Sequence, residues 1–167
     1  MPNAHDQDAR FEDGAEAPLN LGAFDAEDLQ VISSLAQDAV FPITEMSWRA
    51  KERRFAILLN RFRWEDADNA QMRQRSVERV QALLVLDNVL RVASQGVDRS
   101  DKDMILSLMS ITFEPADETG EDTAGDIVLT LAGDGVLRLS VEALELTLKD
   151  VTRPYVAPSK RAPDHGT

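Results

Sequence analysis

The sequence predicts an α+β fold, with one N-terminal helix and a curved, mostly antiparallel sheet of about six or seven strands. Three observations carry that expectation. One early stretch repeats its apolar residues at helical spacing. From Ala39 onward the apolar period falls to two in segment after segment. Polar or glycine-bearing turns at Arg49-Ala50-Lys51-Glu52 and Gly133-Asp134-Gly135 join segments as hairpins, which points to antiparallel neighbours.

The helix comes first. Asp25 is a suitable N-cap, and Asp28 three residues later approaches a capping box. Glu27 and Asp28 lie where the helix dipole favours negative charge. Leu29, Ile32, Leu35 and Ala36 form one apolar stripe, and the helix is expected to end near Asp38. Val40 to Trp48 and Phe55 to Trp64 read as a hairpin joined by Arg49-Ala50-Lys51-Glu52, with Pro42 marking an edge or a bulge. Glu65 to Ser76 reads as a loop or a short helix. Val80 to Ser94 is β in composition, and Asp87-Asn88 interrupts it with a turn or bulge. Gly96 to Lys102 is a loop.

Met104 to Phe113 alternates. Ile105, Ser107, Met109, Ile111 and Phe113 fall on one face, and Met104, Leu106 and Leu108 on the other. Glu114 to Gly125 is an acidic loop. Asp126 to Ala132 and Val136 to Val141 flank Gly133-Asp134-Gly135, a hairpin signal. Glu142 to Val151 fits a strand better than a helix, with a terminal helix expected behind it and Pro154 as a stop. A sheet of this length tends to curl. A half-open barrel resembling the pleckstrin-homology shape is therefore expected. Residues 1–20 and 157–167 read as disordered tails around a single domain at 21–156.

Composition removes several function classes. The 167 residues contain no cysteine, which excludes disulfides, thiolate metal sites and cysteine nucleophiles, and fits a cytoplasmic protein. The two histidines, His5 and His165, both fall in the expected tails. No catalytic triad or histidine metal site can then be built in the core. The acidic groups Asp25/Glu27/Asp28, Glu65/Asp66/Asp68 and Glu114/Asp117/Glu118 lack calcium-loop spacing. No cofactor is implied, nor any membrane span.

Charge is unevenly placed. The net charge is −12, yet residues 49–79 hold nine Lys/Arg against five Asp/Glu, a local +4 that leaves −16 elsewhere. Within that island, strand parity puts Ala56, Leu58, Asn60, Phe62 and Trp64 on one face. Phe55, Ile57, Leu59, Arg61 and Arg63 share the other. Asn60, Arg61, Arg63, Trp64 and Trp48 are therefore the candidate binding residues. The arginines would supply bidentate donors, Asn60 would orient a polar group, and a tryptophan would offer a stacking face. The structural alternative is a hydrogen-bonded Asn60 and a solvated arginine end covering the aromatics.

The segments Asp25–Ser33, Arg53–Glu65 and Gly96–Ser100 resemble DUF2948, an alphaproteobacterial family of unknown function, over roughly residues 20–155. The resemblance implies a small bacterial domain and brings no catalytic or binding residues. Three functions are then in view. The first is a non-enzymatic domain that binds an acidic protein segment or small anion. The second is an enzyme without His or Cys acting on an anionic metabolite. The third is a homo-oligomer with the basic patch as its interface. The acidic remainder of the chain argues against nucleic acid.

Overall fold

The computed structural model describes residues 17–74, 76–117 and 123–156. Its described part opens with a strand rather than a helix. β1 (Asn20–Ala23) precedes α1 (Ala26–Ala36). The Asp25 side chain accepts from the Asp28 amide at 2.8 Å and caps the helix. Leu29, Ile32 and Ala36 are its buried face, packed towards β1 and the long strand β7 (Ile105–Pro115).

Eleven strands are present in the described residues, more than expected, for three local reasons. First, the segment read as one strand from Val40 to Trp48 is two. β2 (Val40–Pro42) stops where Pro42 cannot donate to a ladder. A 3₁₀ turn at Ile43–Glu45 follows, then β3 (Met46–Arg49). Both halves lie along the same side of β4 (Arg54–Phe62), β2 at Val40↔Asn60 and β3 from Met46↔Ile57 to Arg49↔Arg54.

Second, Val80 to Ser94 divides at Asp87-Asn88 into β5 (Glu78–Leu86) and β6 (Val89–Gln95). Asn88 takes φ 60°, a left-handed value that asparagine tolerates better than most residues. β5 and β6 do not pair with each other. β5 pairs with β4 and β10 (Leu146–Asp150), while β6 pairs with β9 (Val136–Val141). The Asp87-Asn88 step is thus a corner that moves the chain across the sheet. Third, short strands close the ends: β1, and β11 (Tyr155–Val156), which stands where a terminal helix was expected.

The path through the sheet is β1-β10-β5-β4-β2-β7-β8-β9-β6, where β8 is Gly125–Leu131. β3 joins at β4 and β11 at β5, and every pairing is antiparallel. The β8–β9 hairpin turns through Gly133 at φ 78° and Asp134 at φ 69°. Residues 64–72 form a 3₁₀ turn and the short helix α2 (Ala67–Met72).

The register of β7 corrects the face assignment made from parity alone. A shift between Leu108 and Ser110 inserts one residue. The alternation flips there, so Ile111 joins Leu106 and Leu108 in the core instead of opposing them. The bulge leaves the Ile111 amide to find a partner off the ladder, and the Ser33 hydroxyl accepts it at 2.9 Å. That bond fixes α1 over the bend.

The core lies on the sheet's inner rows: Ile57 and Leu59 of β4, Leu84 and Leu86 of β5, Leu146 and Leu148 of β10, Ile127 and Leu129 of β8. Strand order then reaches the domain limits. Leu19 donates its amide to Asp150 Oδ2 at 2.9 Å, so the paired chain begins just ahead of residue 20. Residues 1–16 and 157–167 of the expected tails, and 118–122 of the expected acidic loop, lie outside the described residues. Among the described residues no helix is long and apolar enough to cross a membrane.

Candidate functional site: two ends of one strand

The strand β4 divides the five sequence-derived site residues. Asn60, Arg61, Arg63 and Trp64 gather at its far end, and Trp48 sits across from Phe55 at its near end. Arg61 lies six steps along the strand from Phe55, about 20 Å at about 3.3 Å per residue.

At the far end the arginines continue the core-facing row, as parity suggested, but they are enclosed rather than solvated. Arg61 is 0% exposed. Its Nε and Nη2 donate to the two oxygens of Asp150 at 2.9 and 2.8 Å. Its Nη1 and Nη2 donate to Glu65 at 2.9 and 2.8 Å, and Nη1 also reaches the Phe62 carbonyl at 3.1 Å. Burial alone would lower its pKa; the hydrogen bonds it donates to Glu65 and Asp150 outweigh it and hold the guanidinium above its ordinary value. It is therefore a fixed charge with all its donors engaged.

Arg63 is equally enclosed. Its Nη1 donates to Glu78 at 2.9 Å and lies 3.6 Å from Asp66. Its Nη2 is buried without a hydrogen bond among the described residues. Arg79 lies over the Phe62 ring at 4.5 Å. Trp64 packs against Phe62 at 5.3 Å between centroids and donates its indole N–H to the Gln37 carbonyl at 2.8 Å. Asn60, on the outer row, accepts from the Tyr155 hydroxyl at 2.7 Å. The two arginines at this end are thus matched from within the chain. Glu65, Asp66, Glu78 and Asp150 surround Arg61 and Arg63, and of the named polar atoms Arg63 Nη2 is left without a hydrogen bond among the described residues.

The near end is different. A cavity of about 320 Å³ opens between β3 and β4 on one side and β6 and β9 on the other. Trp48 and Phe55 are a cross-strand pair, so their side chains share the inner face, with Met46 beside them. Val92, Ser94 and Leu137 form the facing wall, Ser94 and Leu137 being opposite one another in the β6–β9 ladder. Ile43 and Thr44 come from the 3₁₀ turn that splits β2 from β3. The cavity therefore exists because Pro42 breaks that strand and because the corner at Asp87-Asn88 carries β6 round to face it.

Two cations complete the lining, Arg99 and Lys102, from the loop between β6 and β7. Both are exposed, and neither has an ion pair or hydrogen bond among the described residues. The loop also carries Asp98, Asp101 and Asp103, but none of these lines the cavity. The Asp98 carboxylate turns back to accept from the Ser100 hydroxyl at 2.5 Å and the Ser100 amide at 3.0 Å. Those bonds hold its pKa below the ordinary carboxylate value. Asp101 accepts the Asp103 amide at 3.2 Å. The Met104 carbonyl accepts from Ile43, tying the loop to the cavity's turn at 2.9 Å. Gly96 starts the loop at φ 70°, where a Cβ would stand 2.9 Å from the Asp134 carbonyl oxygen. The acids and the glycine shape the loop, and the cations face the cavity.

The family model described as protein of unknown function, DUF2948, matches residues 19–165. The chain belongs to the DUF2948 family. No curated protein and no solved structure matches it. The match spans both ends of β4, so the arginine network and the cavity are parts of one DUF2948 domain. Of the residues singled out from the sequence, Trp48 alone lines the cavity. Arg99 and Lys102 read from the sequence as loop residues, because a cation's nearness to an aromatic far earlier in the chain is set by sheet curvature, which has no local signature.

Proposed function

We propose that this DUF2948 domain is a non-enzymatic binding domain that holds a small organic anion in the cavity between β3 and β6. The observation that carries the reading is the pairing of an apolar, aromatic-walled cavity with two cations, Arg99 and Lys102, that have no partner among the described residues. Elsewhere the acidic chain matches its buried arginines to its own carboxylates; here it leaves cations facing an opening. A volume of about 320 Å³ is at the small end of ligand sites. It suits a metabolite better than an acidic protein segment. Binding rather than catalysis is favoured because the ten lining residues include neither a carboxylate nor an imidazole to act as general acid or base.

In this reading the anion site moves from Arg61 and Arg63 to the other end of β4, and Trp48 is retained. The half-open barrel resembling the pleckstrin-homology shape, the cytoplasmic location and the alphaproteobacterial origin belong to the same proposal. Thermal shift against a panel of small organic acids and their neutral amides tests it. The acids are expected to stabilise the wild-type protein and not the Arg99→Ala/Lys102→Ala variant, with the amides inert. Equal shifts from acids and amides, or acid shifts that survive the double substitution, would remove the cavity from consideration.

A further inference from the structure

Resting on the cavity reading above, we infer that its ligand is a planar aromatic carboxylate of one or two fused rings, carrying a hydroxyl or carbonyl substituent. The walls favour a plate over a chain. Trp48 and Phe55 stand side by side on the inner face of a two-strand ladder, and Val92 and Leu137 face them from another. Both walls are sheet, so the space between them is a slot with stiff sides. Phe55 is 3% exposed and well covered, but its neighbour Trp48 is 37% exposed. An indole left open inside a lined cavity offers its ring to another ring, and such pairs add to simple burial.

The size agrees. An apolar cavity of about 150 Å³ accepts one benzene ring, and this one is about twice that, at about 320 Å³. The polar groups fix the rest. Arg99 can grip both oxygens of a carboxylate with its planar fork, and Lys102 adds a point charge. The Thr44 and Ser94 hydroxyls line the same space with no hydrogen bond among the described residues. They are placed to meet a polar ring substituent, which an acyl chain does not have.

The test is calorimetric titration of the full chain with 2-naphthoate, 6-hydroxy-2-naphthoate, decanoate and 2-naphthalenemethanol. The two naphthoates are expected to bind about 10-fold more tightly than decanoate, in line with ring–ring contact and tighter fit. Trp48→Ala should weaken 2-naphthoate about 5-fold and leave decanoate within about twofold. Arg99→Ala/Lys102→Ala should weaken both acids, and the neutral alcohol should bind poorly throughout. Decanoate binding as tightly as 2-naphthoate, with both lost in the double variant, overturns the aromatic ligand and keeps the anion cavity. Absence of binding by any acid, or binding indifferent to Arg99 and Lys102, overturns both. Because Trp48 is partly exposed and Leu84, Leu86 and Ile57 remain to hold the core, its variant is expected to fold; circular dichroism and a urea midpoint check that before titration.

Discussion

The two ends of β4 handle positive charge in opposite ways. At the Arg61 end, guanidinium groups are taken out of water and matched to carboxylates from three other parts of the chain: Glu65, Glu78 and Asp150. At the Trp48 end, Arg99 and Lys102 stay in solvent at the rim of an apolar space and have no such match among the described residues. A cluster of cations in a sequence is therefore a poor guide to a binding surface. The useful measure is what remains uncompensated after folding, and by that measure Arg61 and Arg63 rank below two loop cations.

That contrast is open to attack from its strongest side first. Arg61→Ala leaves Asp150 buried without its cation, and loss of one partner from a buried pair costs about 3–5 kcal/mol. Urea unfolding should show a loss of that size, with no selective effect on ligand titration in whatever folded protein remains. A loss below about 1 kcal/mol would mean the end is hydrated and the contrast is mistaken. The Arg61 guanidinium itself gives no pH signal in the working range. Its folded pKa lies above the unfolded one, so its stabilisation is complete below the ordinary arginine value and is lost only as pH rises through the higher folded value.

A smaller effect is expected at Gly96→Ala. The added Cβ meets a backbone oxygen at 2.9 Å in a left-handed conformation, which costs about 1–3 kcal/mol. Because the strain falls on the loop that carries Arg99, affinity should drop along with stability, unlike Arg61→Ala. Smaller again in stability is Arg99→Ala/Lys102→Ala, expected within about 0.5 kcal/mol of wild type by urea midpoint, since neither side chain is bonded. Its affinity for an organic acid should fall about 10-fold or more. A destabilisation comparable to Arg61→Ala would erase the distinction between the two ends.

The finest test is Asp98→Ala. Ser100 holds the Asp98 carboxyl below its ordinary pKa, so its contribution to the folded loop is present above the unfolded value and lost as pH falls through the lowered folded one. Wild-type affinity should therefore fall at acid pH. The variant should start roughly twofold weaker at neutral pH, by loss of a local side-chain cap, and show less of that acid dependence in the same titration.

Much of the fold could be read from local pattern, and the reasons for the remainder are specific. Asp25 capped a helix and Gly133-Asp134 turned a hairpin because both signals act within four residues. The Phe55-Ile57-Leu59-Arg61 row was correctly placed on one face by period two alone. The burial of its arginine end was not legible, because arginine at a strand end ordinarily reads as solvated. What pattern could not supply was Asp150, 89 positions from Arg61, whose carboxylate makes burial tolerable. The break at Pro42 was visible as a disturbance and not as a division into two strands. The one-residue shift in β7 was invisible, since Met109 and Ser110 suit either face. The cavity required both breaks and the curl of the sheet, so of its lining residues only Trp48 carried a local signal.

The pairing of β1 with β10 has a consequence in time. Asn20 meets Lys149, and Leu19 meets Asp150 across 131 positions. A ribosome adding about 5–20 residues each second needs on the order of ten seconds to travel that distance. Throughout that interval β1 has no ladder, and Arg61 has no Asp150. The nascent chain cannot finish one edge of its sheet, or neutralise its most deeply enclosed charge, until almost the last described strand has emerged. Folding of this domain is therefore expected to be a late event on the ribosome and a slow one in the test tube, as its long-range topology dictates.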